Sequence, residues 1–591
     1  MILVDVFSFA ASPLDPASVR WLAQASITCR SFAEPALTAL YRSPPLLSLA
    51  MAHGFADLLT MPPSETMFNY RQKVESLSVD VGSIAALTFK GQHLDVTRMV
   101  LHCPRLAELD FFHQKDMAPY RQLDDRLRWA YPSPLLDYIA HGDTSQSPSE
   151  LSAEDQPRFT LMQAWRWSAR MMGPELDLDQ IKSIHRSRGF SSLRKITFVN
   201  FQRPSLKIRN ADDAQITSMD KEHAADFAAL IQALPSLSHL VLDSCTVANE
   251  YLLPLLPTNL QNLELINCWD ITADALADFL ASHGHNIRHL TLNHNQSLSL
   301  SFLPLLGSCC PKLETLQINL AYYAHHVSYN DSKPLYEELL LPDQVPVWPQ
   351  SIRVVEIENM RKWTPEAAEM FFKSFIDCAP DMPDLRRLSL RAMLDIPWRQ
   401  RSEIRETWEM RLKRCFARKA TPPRPWKSLA DVMLVHESEP QPRRKPAKRR
   451  FSAEQSGPSR RSGRISAQAS GPSSRASSVA RGLRRLHRGN FSYREPDSDE
   501  DMDDLMDEGA EEDQEDEGDA MEGIEVGAPS PASDASLEFI QGLCEVVDLR
   551  FDNQKPTEMQ FNMDDFLDQD DEVSDEDWDG DFDGDDDQYA W

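Results

Sequence analysis

Apolar residues recur along this chain in the order apolar-x-x-apolar-x-apolar, nine times between residues 74 and 390. The last two apolar positions of each segment alternate with polar ones, which is the period of a strand with one buried face. The nine segments begin at Val74, Leu106, Leu193, Leu237, Leu260, Ile287, Leu313, Ile352 and Leu385. Each segment predicts a short strand followed by a turn.

The four central segments follow one another at steps of 23, 27 and 26 residues. Cys245, Cys268 and Asn295 each lie three positions after the last leucine of a predicted strand, where a buried side chain packs against, or hydrogen-bonds, the turn backbone. This spacing resembles leucine-rich repeats. We therefore expect an α/β fold over residues 49–430, an irregular leucine-rich-repeat solenoid with a curved parallel sheet and outer helices.

The outer steps are longer, which predicts insertions near residues 140–160 and 321–350. The aromatic-rich stretch QAWRWSARMM, residues 163–172, follows the first insertion and is interpreted as a helix. After the last strand, Ile404, Trp408, Leu412 and Phe416 have helical spacing. We expect this helix to be a C-terminal cap, because a terminal repeat must cover its open end.

Upstream of the repeats, residues 19–46 read VRWLAQASITCRSFAEPALTALYRSPPL. Cys29, Arg30 and Phe32 match the CRxF of the distal part of an F-box, and ILVDVFSF at residues 2–9 resembles its first helix. The opening Leu-Pro-x-Glu of the family is absent, so the box is either truncated or degenerate. The chain as a whole resembles fungal-type F-box/leucine-rich-repeat proteins.

This resemblance implies a substrate receptor of a Skp-cullin-F-box ubiquitin ligase, whose chemistry belongs to partner subunits. Residues 1–48, an F-box-like helical segment, would dock the Skp-family adaptor that connects to the cullin ligase. The implied adaptor-docking residues are Leu3, Val6, Phe7, Val19, Leu22, Cys29 and Phe32.

The strand register also predicts an interaction surface, because residues between the inward apolar positions face outward on the concave side of a solenoid. The residues we select there are His239, Asp243, Asn262, Glu264, His289, Asn293, Gln317, Glu356, Glu358 and Arg387. This stripe is mixed in charge and acidic in the middle. We expect it to bind a protein substrate with basic side chains.

The formal charge of -30 is concentrated beyond the repeats. Residues 443–494 contain 15 Lys and Arg against one acid, and residues 495–591 contain 39 Asp and Glu against two bases. With few large apolar residues, residues 431–534 are predicted to be a disordered basic then acidic linker, and residues 568–591 an acidic disordered tail. A nuclear-targeting patch is predicted at Arg443, Arg444, Lys445, Lys448, Arg449 and Arg450; the alternative is a basic linker that pairs with the acidic tail.

Residues 535–567 interrupt the acidic region with a short apolar segment. Within it, CEVVDLRF alternates apolar and polar residues as a strand does. Such a segment either docks on the repeats, binds a partner, or is an apolar patch in a disordered tail.

Catalytic and cofactor motifs do not stand out. The chain has no glycine-rich phosphate loop, HExxH or nucleophile elbow, and the histidines around His289 fall on a turn, a strand and the following turn of the register. We expect no enzyme activity, no metal and no cofactor, and neither direct nucleic-acid nor membrane binding. Scattered cysteines favour a reducing compartment, nucleus or cytoplasm.

Two other functions remain open. Repeats followed by a basic patch and an acidic stretch resemble acidic leucine-rich nuclear phosphoproteins, whose tails engage histones. The third is a scaffold in which the F-box-like segment is only a structural cap.

Overall fold

Eleven strands form one sheet in the computed structural model, and they follow one another across the sheet in the order of the chain. The described residues are 2–12, 14–62, 64–116, 127–142, 160–208, 212–322, 333–394, 398–419 and 539–552, all within one structural unit. Neighbouring strands of the sheet are parallel. This is an α/β fold of solenoid-like order.

The strands are short and evenly sized. They are β1 (Ser76–Asp80), β4 (Glu108–Phe112), β5 (Ala164–Ser168), β6 (Lys195–Val199), β7 (His239–Asp243), β8 (Asn262–Ile266), β9 (His289–Asn293), β10 (Thr315–Asn319), β11 (Val354–Met360), β12 (Arg387–Met393) and β13 (Val546–Asp552). A separate antiparallel pair consists of β2 (Thr88–Phe89) and β3 (Gln92–His93). All nine strands predicted from the apolar pattern are present.

Helices connect most of the strands. They are α1 (Ile2–Ala10), α2 (Pro16–Thr28), α3 (Arg30–Arg42), α4 (Leu49–Thr60), α5 (Val96–Leu101), α6 (Ser133–His141), α7 (Leu178–His185), α8 (Asp213–Gln232), α9 (Ala273–His283), α10 (Leu303–Cys309), α11 (Pro365–Asp377) and α12 (Trp398–Phe416). Local sequence sets several helix starts: the side chain of Thr272 accepts the N–H of Ala275 at α9, and that of Thr364 accepts the N–H of Ala367 at α11. The helix predicted around Trp408 is confirmed as α12.

The inward side chains of the sheet form the core of the molecule. Register aligns Leu240, Leu263, Leu290 and Leu316 across four neighbouring strands, and none of these side chains is exposed. Helix α9 closes this core with Leu276, Phe279 and Leu280. Each strand contributes apolar residues at alternate positions, so one strand cannot shift by one residue without exposing them.

The turns after the central strands share one backbone conformation. Ser244, Asn267 and His294 directly follow β7, β8 and β9, and all three have positive φ angles. The N–H of each donates to the last strand carbonyl of the next unit, for example from Asn267 to Asn293 at 2.8 Å. A left-handed residue at this point ends each strand and turns the chain toward its next helix or loop.

The helix predicted for residues 163–172 was wrong. Residues 164–168 form strand β5, which pairs with β4 and β6. Trp165 and Trp167 alternate inward and are buried, with ring centroids 5.1 Å apart. The buried residues are two positions apart, which is the period of a strand. Strand β5 therefore lies between the strands predicted at Leu106 and Leu193 and accounts for the long step between them.

The N-terminal helices form a small bundle with a core of its own. Helices α1, α2 and α3 bury Phe7, Ala11, Leu22, Ala36 and Ala39 against one another, separately from the main core. An ion pair at 2.6 Å joins Arg42, at the end of α3, to Glu75, just before β1.

The two predicted insertions lie partly outside the described residues, which omit 143–159 and 323–332. Residues 333–350 are irregular, and they return to the core through buried Leu339, Leu340 and Trp348. In the parts of the chain that the structure describes, no helix combines the length and apolar character that a membrane span requires.

Candidate functional site

The outward positions of β1 and β4–β13 share one side of the sheet, which we call the polar sheet face. Strand alternation places them opposite the buried leucines. The ten residues selected from the sequence lie there, on β7 to β12: His239, Asp243, Asn262, Glu264, His289, Asn293, Gln317, Glu356, Glu358 and Arg387. Most of them are half-buried, because neighbouring side chains cover them partly.

Parallel pairing arranges these residues in three rows across the strands. His239, Asn262 and His289 stand side by side in the first row. The second row runs across β8 to β11 and consists of Glu264, Thr291, Gln317 and Glu356. Side chains that are 20 to 40 positions apart in sequence are therefore direct neighbours on the face.

A hydrogen-bonded group occupies β10 to β12. The Gln317 amide donates to the Glu356 carboxylate at 2.7 Å, and the Arg387 guanidinium pairs with the same carboxylate at 2.6 Å. Asn319 donates to Glu358 at 3.2 Å. Glu356 is thus held from both neighbouring strands, by an amide on β10 and a guanidinium on β12.

His239 and Glu264 form the contact between β7 and β8. The His239 Nε2 and Glu264 Oε1 atoms are 2.6 Å apart. The hydrogen bond from His239, more than its charge, holds the pKa of Glu264 below its usual value, against the opposing effect of burial. Glu264 is therefore a negative charge at the centre of the face.

Arg166, on β5, places a positive charge on the polar sheet face between β4 and β6, and sequence reasoning missed it. Its Nε atom lies 2.8 Å from Asp110, which also accepts the Ser78 hydroxyl at 3.3 Å. Burial raises the pKa of Asp243 to about 6, which the Ser244 hydroxyl and the Arg166 charge only partly offset. Arg166 was missed because β5 was interpreted as a helix; the alternation of Trp165 and Trp167 was the available signal.

Carboxylates outnumber cations on β7 to β11, where Asp243, Glu264, Glu356 and Glu358 are the acidic groups. Carboxylates accept hydrogen bonds from lysine and arginine side chains. Among the described residues, no group of three or more His, Cys, Asp or Glu is arranged to hold a metal ion. The carboxylates of this face can therefore accept hydrogen bonds from basic groups.

The N-terminal bundle presents a second surface, the bundle apolar patch, formed by exposed large side chains. These are Ile2, Leu3, Val6, Phe9, Trp21, Ile27 and Phe32. Ile2, Val6 and Phe9 follow helical spacing along one side of α1, and Phe9 is 86% exposed. Exposed large apolar side chains that share one side of a helix mark an interaction site.

The structure divides the seven residues selected for adaptor docking. Leu3, Val6, Cys29 and Phe32 are exposed, and Val19 is half-buried. Phe7 and Leu22 are buried in the bundle core, where the Phe7 ring contacts Trp21 and Phe32 at centroid distances of 5.7 and 5.4 Å. Phe7 therefore supports Trp21 and Phe32 of the patch, and Leu22 belongs to the bundle core. The six residues selected for nuclear targeting lie outside the described residues.

A scan against models of protein families finds no match for this chain, and no curated protein matches it significantly.

Proposed function

We propose that this protein is a non-enzymatic substrate receptor of a Skp-cullin-F-box ubiquitin ligase. In this proposal the N-terminal bundle docks a Skp-family adaptor through the bundle apolar patch. The polar sheet face, as the inner face of a leucine-rich-repeat solenoid, holds a protein substrate that carries basic side chains.

The observation that carries the adaptor proposal is the bundle apolar patch. A bundle this small has its own core, yet it exposes seven large apolar side chains. Burying them against a partner removes apolar surface from water, which is the main source of affinity in protein interfaces. A bundle that served only as a cap would direct these residues toward the repeats.

The leucine-rich-repeat interpretation is supported by details of the turns. The Cys268 thiol lies 3.4 Å from the Leu242 carbonyl, and the Asn295 amide donates to the Leu265 carbonyl at 2.8 Å. Each of these carbonyls belongs to the last inward leucine of the strand one unit earlier, on β7 for Cys268 and on β8 for Asn295. The Asn295 side chain also accepts the Cys268 N–H in the preceding turn at 2.8 Å, which is the kind of contact with the turn backbone that the sequence predicts at this position.

Adaptor binding tests the first half of the proposal. The full chain is titrated with a purified Skp-family adaptor by calorimetry, beside Val6→Asp, Phe9→Asp and the control Met67→Asp, whose methionine is 80% exposed outside the bundle. Wild type and the control bind equally, and each bundle variant loses at least about tenfold in affinity. No binding by the wild type, or equal binding by all four proteins, contradicts the proposal.

Charge reversal tests the substrate face. We expect Glu264→Lys and Glu356→Lys to weaken binding of a 15-residue Arg/Lys-rich peptide by about tenfold each. Glu369→Lys, an exposed position on α11, makes the same charge change away from the face. Equal weakening by all three variants would indicate a nonspecific charge effect.

A histone-binding role predicts a different result. Histones would then bind without adaptor, and deleting residues 495–591 would abolish their binding. Adaptor binding by the bundle distinguishes the two roles, because the histone-binding role makes no use of the bundle apolar patch.

A further inference from the structure

The last strand of the sheet comes from far along the chain. Helix α12 ends at Phe416, the described residues continue to 419, and the next described residue is Phe539. Strand β13 then pairs in parallel with β12, residue by residue from Arg387 with Val546 to Met393 with Asp552. A distant segment therefore occupies the C-terminal edge of the sheet.

Backbone hydrogen bonds hold the residues of this segment that precede β13. The Gly542 N–H donates to the Cys415 carbonyl at 2.9 Å, and the Cys544 N–H donates to the Phe416 carbonyl at 2.8 Å. The Cys544 carbonyl accepts the Arg418 N–H at 2.8 Å. These contacts join the segment to the end of α12 and do not depend on side-chain identity.

One side chain anchors the segment to the turn before β12. The Gln541 amide donates to the carbonyls of Met382 and Leu385 at 2.8 and 3.2 Å. Gly542 has a φ of +64°, a conformation that glycine adopts without strain and that places Gln541 and Cys544 against the same turn.

Alternating side chains complete the contact. Leu549 is only 4% exposed, and the Phe551 ring lies 5.7 Å from that of Phe372. Val547 and Phe551 remain half-buried, whereas Leu388 and Leu390 on β12 are fully covered. Among the described residues β13 pairs with β12 alone, so less of its apolar surface is buried than on inner strands.

We propose that the edge of β12, together with the end of α12, is a binding site for an extended peptide, and that residues 539–552 are its exchangeable intramolecular ligand. Strand addition of this kind draws affinity from main-chain hydrogen bonds and specificity from alternate side chains. The site selects Gln541 and the apolar positions 547, 549 and 551.

Exchange follows from how the segment is held. A strand with one neighbour and partly buried side chains opens at lower free energy than strands inside the sheet. The tether keeps the local concentration of the segment high, so the site is occupied most of the time. A competing peptide with the same alternation has to exceed that local concentration.

Cleaving the tether in the full-length protein tests the proposal. A protease site is inserted near Gly471, the chain is cleaved, and gel filtration at micromolar concentration follows the C-terminal fragment. We expect the fragment to stay with the sheet. A 50-fold excess of labelled peptide with the sequence of residues 538–553 replaces it within hours.

Two variants of neighbouring residues serve as a matched pair. Leu549→Asn removes a buried side chain, and we expect at least about tenfold faster fragment release. Arg550→Asn changes the adjacent exposed side chain and leaves release unchanged. Both variants keep the proposed adaptor site intact, so adaptor binding reports independently on folding.

Three results would overturn the proposal. The first is dissociation of the wild-type fragment as soon as the tether is cut. The second is failure of the labelled peptide to enter the site after days. The third is a dimer of uncleaved chains that exchange strands, because the occupant of the site would then be a second copy. Loss of adaptor binding in the wild type would count against the proposed ligase function and not against this site.

Discussion

The Asn295 side chain accepts a hydrogen bond from the Cys268 backbone N–H at 2.8 Å, linking two neighbouring turns. Its amide also donates to the Leu265 carbonyl at 2.8 Å, and no part of Asn295 is exposed. One side chain thus satisfies two buried backbone groups. In the preceding turns the thiols of Cys245 and Cys268 donate hydrogen bonds to strand carbonyls.

Asn295→Ala removes both hydrogen bonds and leaves two buried backbone groups without them. We expect the free energy of unfolding to fall by about 2–4 kcal/mol, measured by urea denaturation. Asn262→Ala, on the polar sheet face, is the control and changes stability by less than about 0.5 kcal/mol. Equal effects would show that the turn contact does not stabilise the fold.

Asp243→Asn is expected to stabilise the protein near neutral pH. Burial raises the pKa of Asp243 to about 6, so folding is penalised as pH rises from the unfolded pKa through that value. The substitution removes this cost. We expect a gain of about 1 kcal/mol at about pH 7.5, allowing for solvent screening of a half-buried group, and a smaller gain at about pH 4.

Thermal unfolding at the two pH values measures this difference. Asp278→Asn, at an exposed position on α9, provides the comparison and is expected to show no such pH dependence. A gain that is larger at low pH would contradict the sign of the argument.

The buried ion pair between Arg170 and Asp116 gives a third prediction. Their Nε and Oδ1 atoms are 3.2 Å apart, and both side chains are almost completely covered. Asp116→Asn leaves the guanidinium charge without its carboxylate, at a cost of about 3 kcal/mol. Replacing both residues, Asp116→Leu with Arg170→Met, restores stability to within about 1 kcal/mol of the wild type.

Urea denaturation of the two variants and the wild type completes this comparison. If the double variant is as unstable as Asp116→Asn, the loss comes from packing or from the Ser168 hydroxyl, which donates to Asp116 at 3.1 Å. The uncompensated charge would then be excluded as the main cause.

Cysteine reactivity gives a fourth prediction. All nine cysteines are free thiols, and Cys29 is exposed. Burial raises the pKa of Cys103, Cys268, Cys310 and Cys544 to about 12, so these thiols lack the reactive thiolate form. Iodoacetamide should modify Cys29 first in the native protein, as measured by peptide mass mapping.

Adaptor binding should protect Cys29 from the reagent if the bundle docks as proposed. Modification of Cys268 as fast as Cys29 would contradict the buried turn arrangement. Modification of Cys544 at a rate between them would measure how often the segment 539–552 opens.

The apolar pattern was sufficient for the nine strands and for α12, because inward residues at alternate positions, or at helical spacing, specify a local structure. The same reasoning failed at Trp165 and Trp167. Their alternation is a strand signal, but over the five residues 164–168 it is too short to exclude a helix from the sequence, and pairing with β4 and β6 establishes the strand.

The sequence by itself determined which residues face inward, and therefore which residues form the polar sheet face on β7 to β12. It also indicated a strand within the apolar segment 535–567. Only the tertiary structure decided that Arg166 lies beside Asp110 and that Val546–Asp552 pairs with β12. Alternation specifies the face that a strand buries but not its neighbour, because backbone hydrogen-bonding groups are alike on every strand edge.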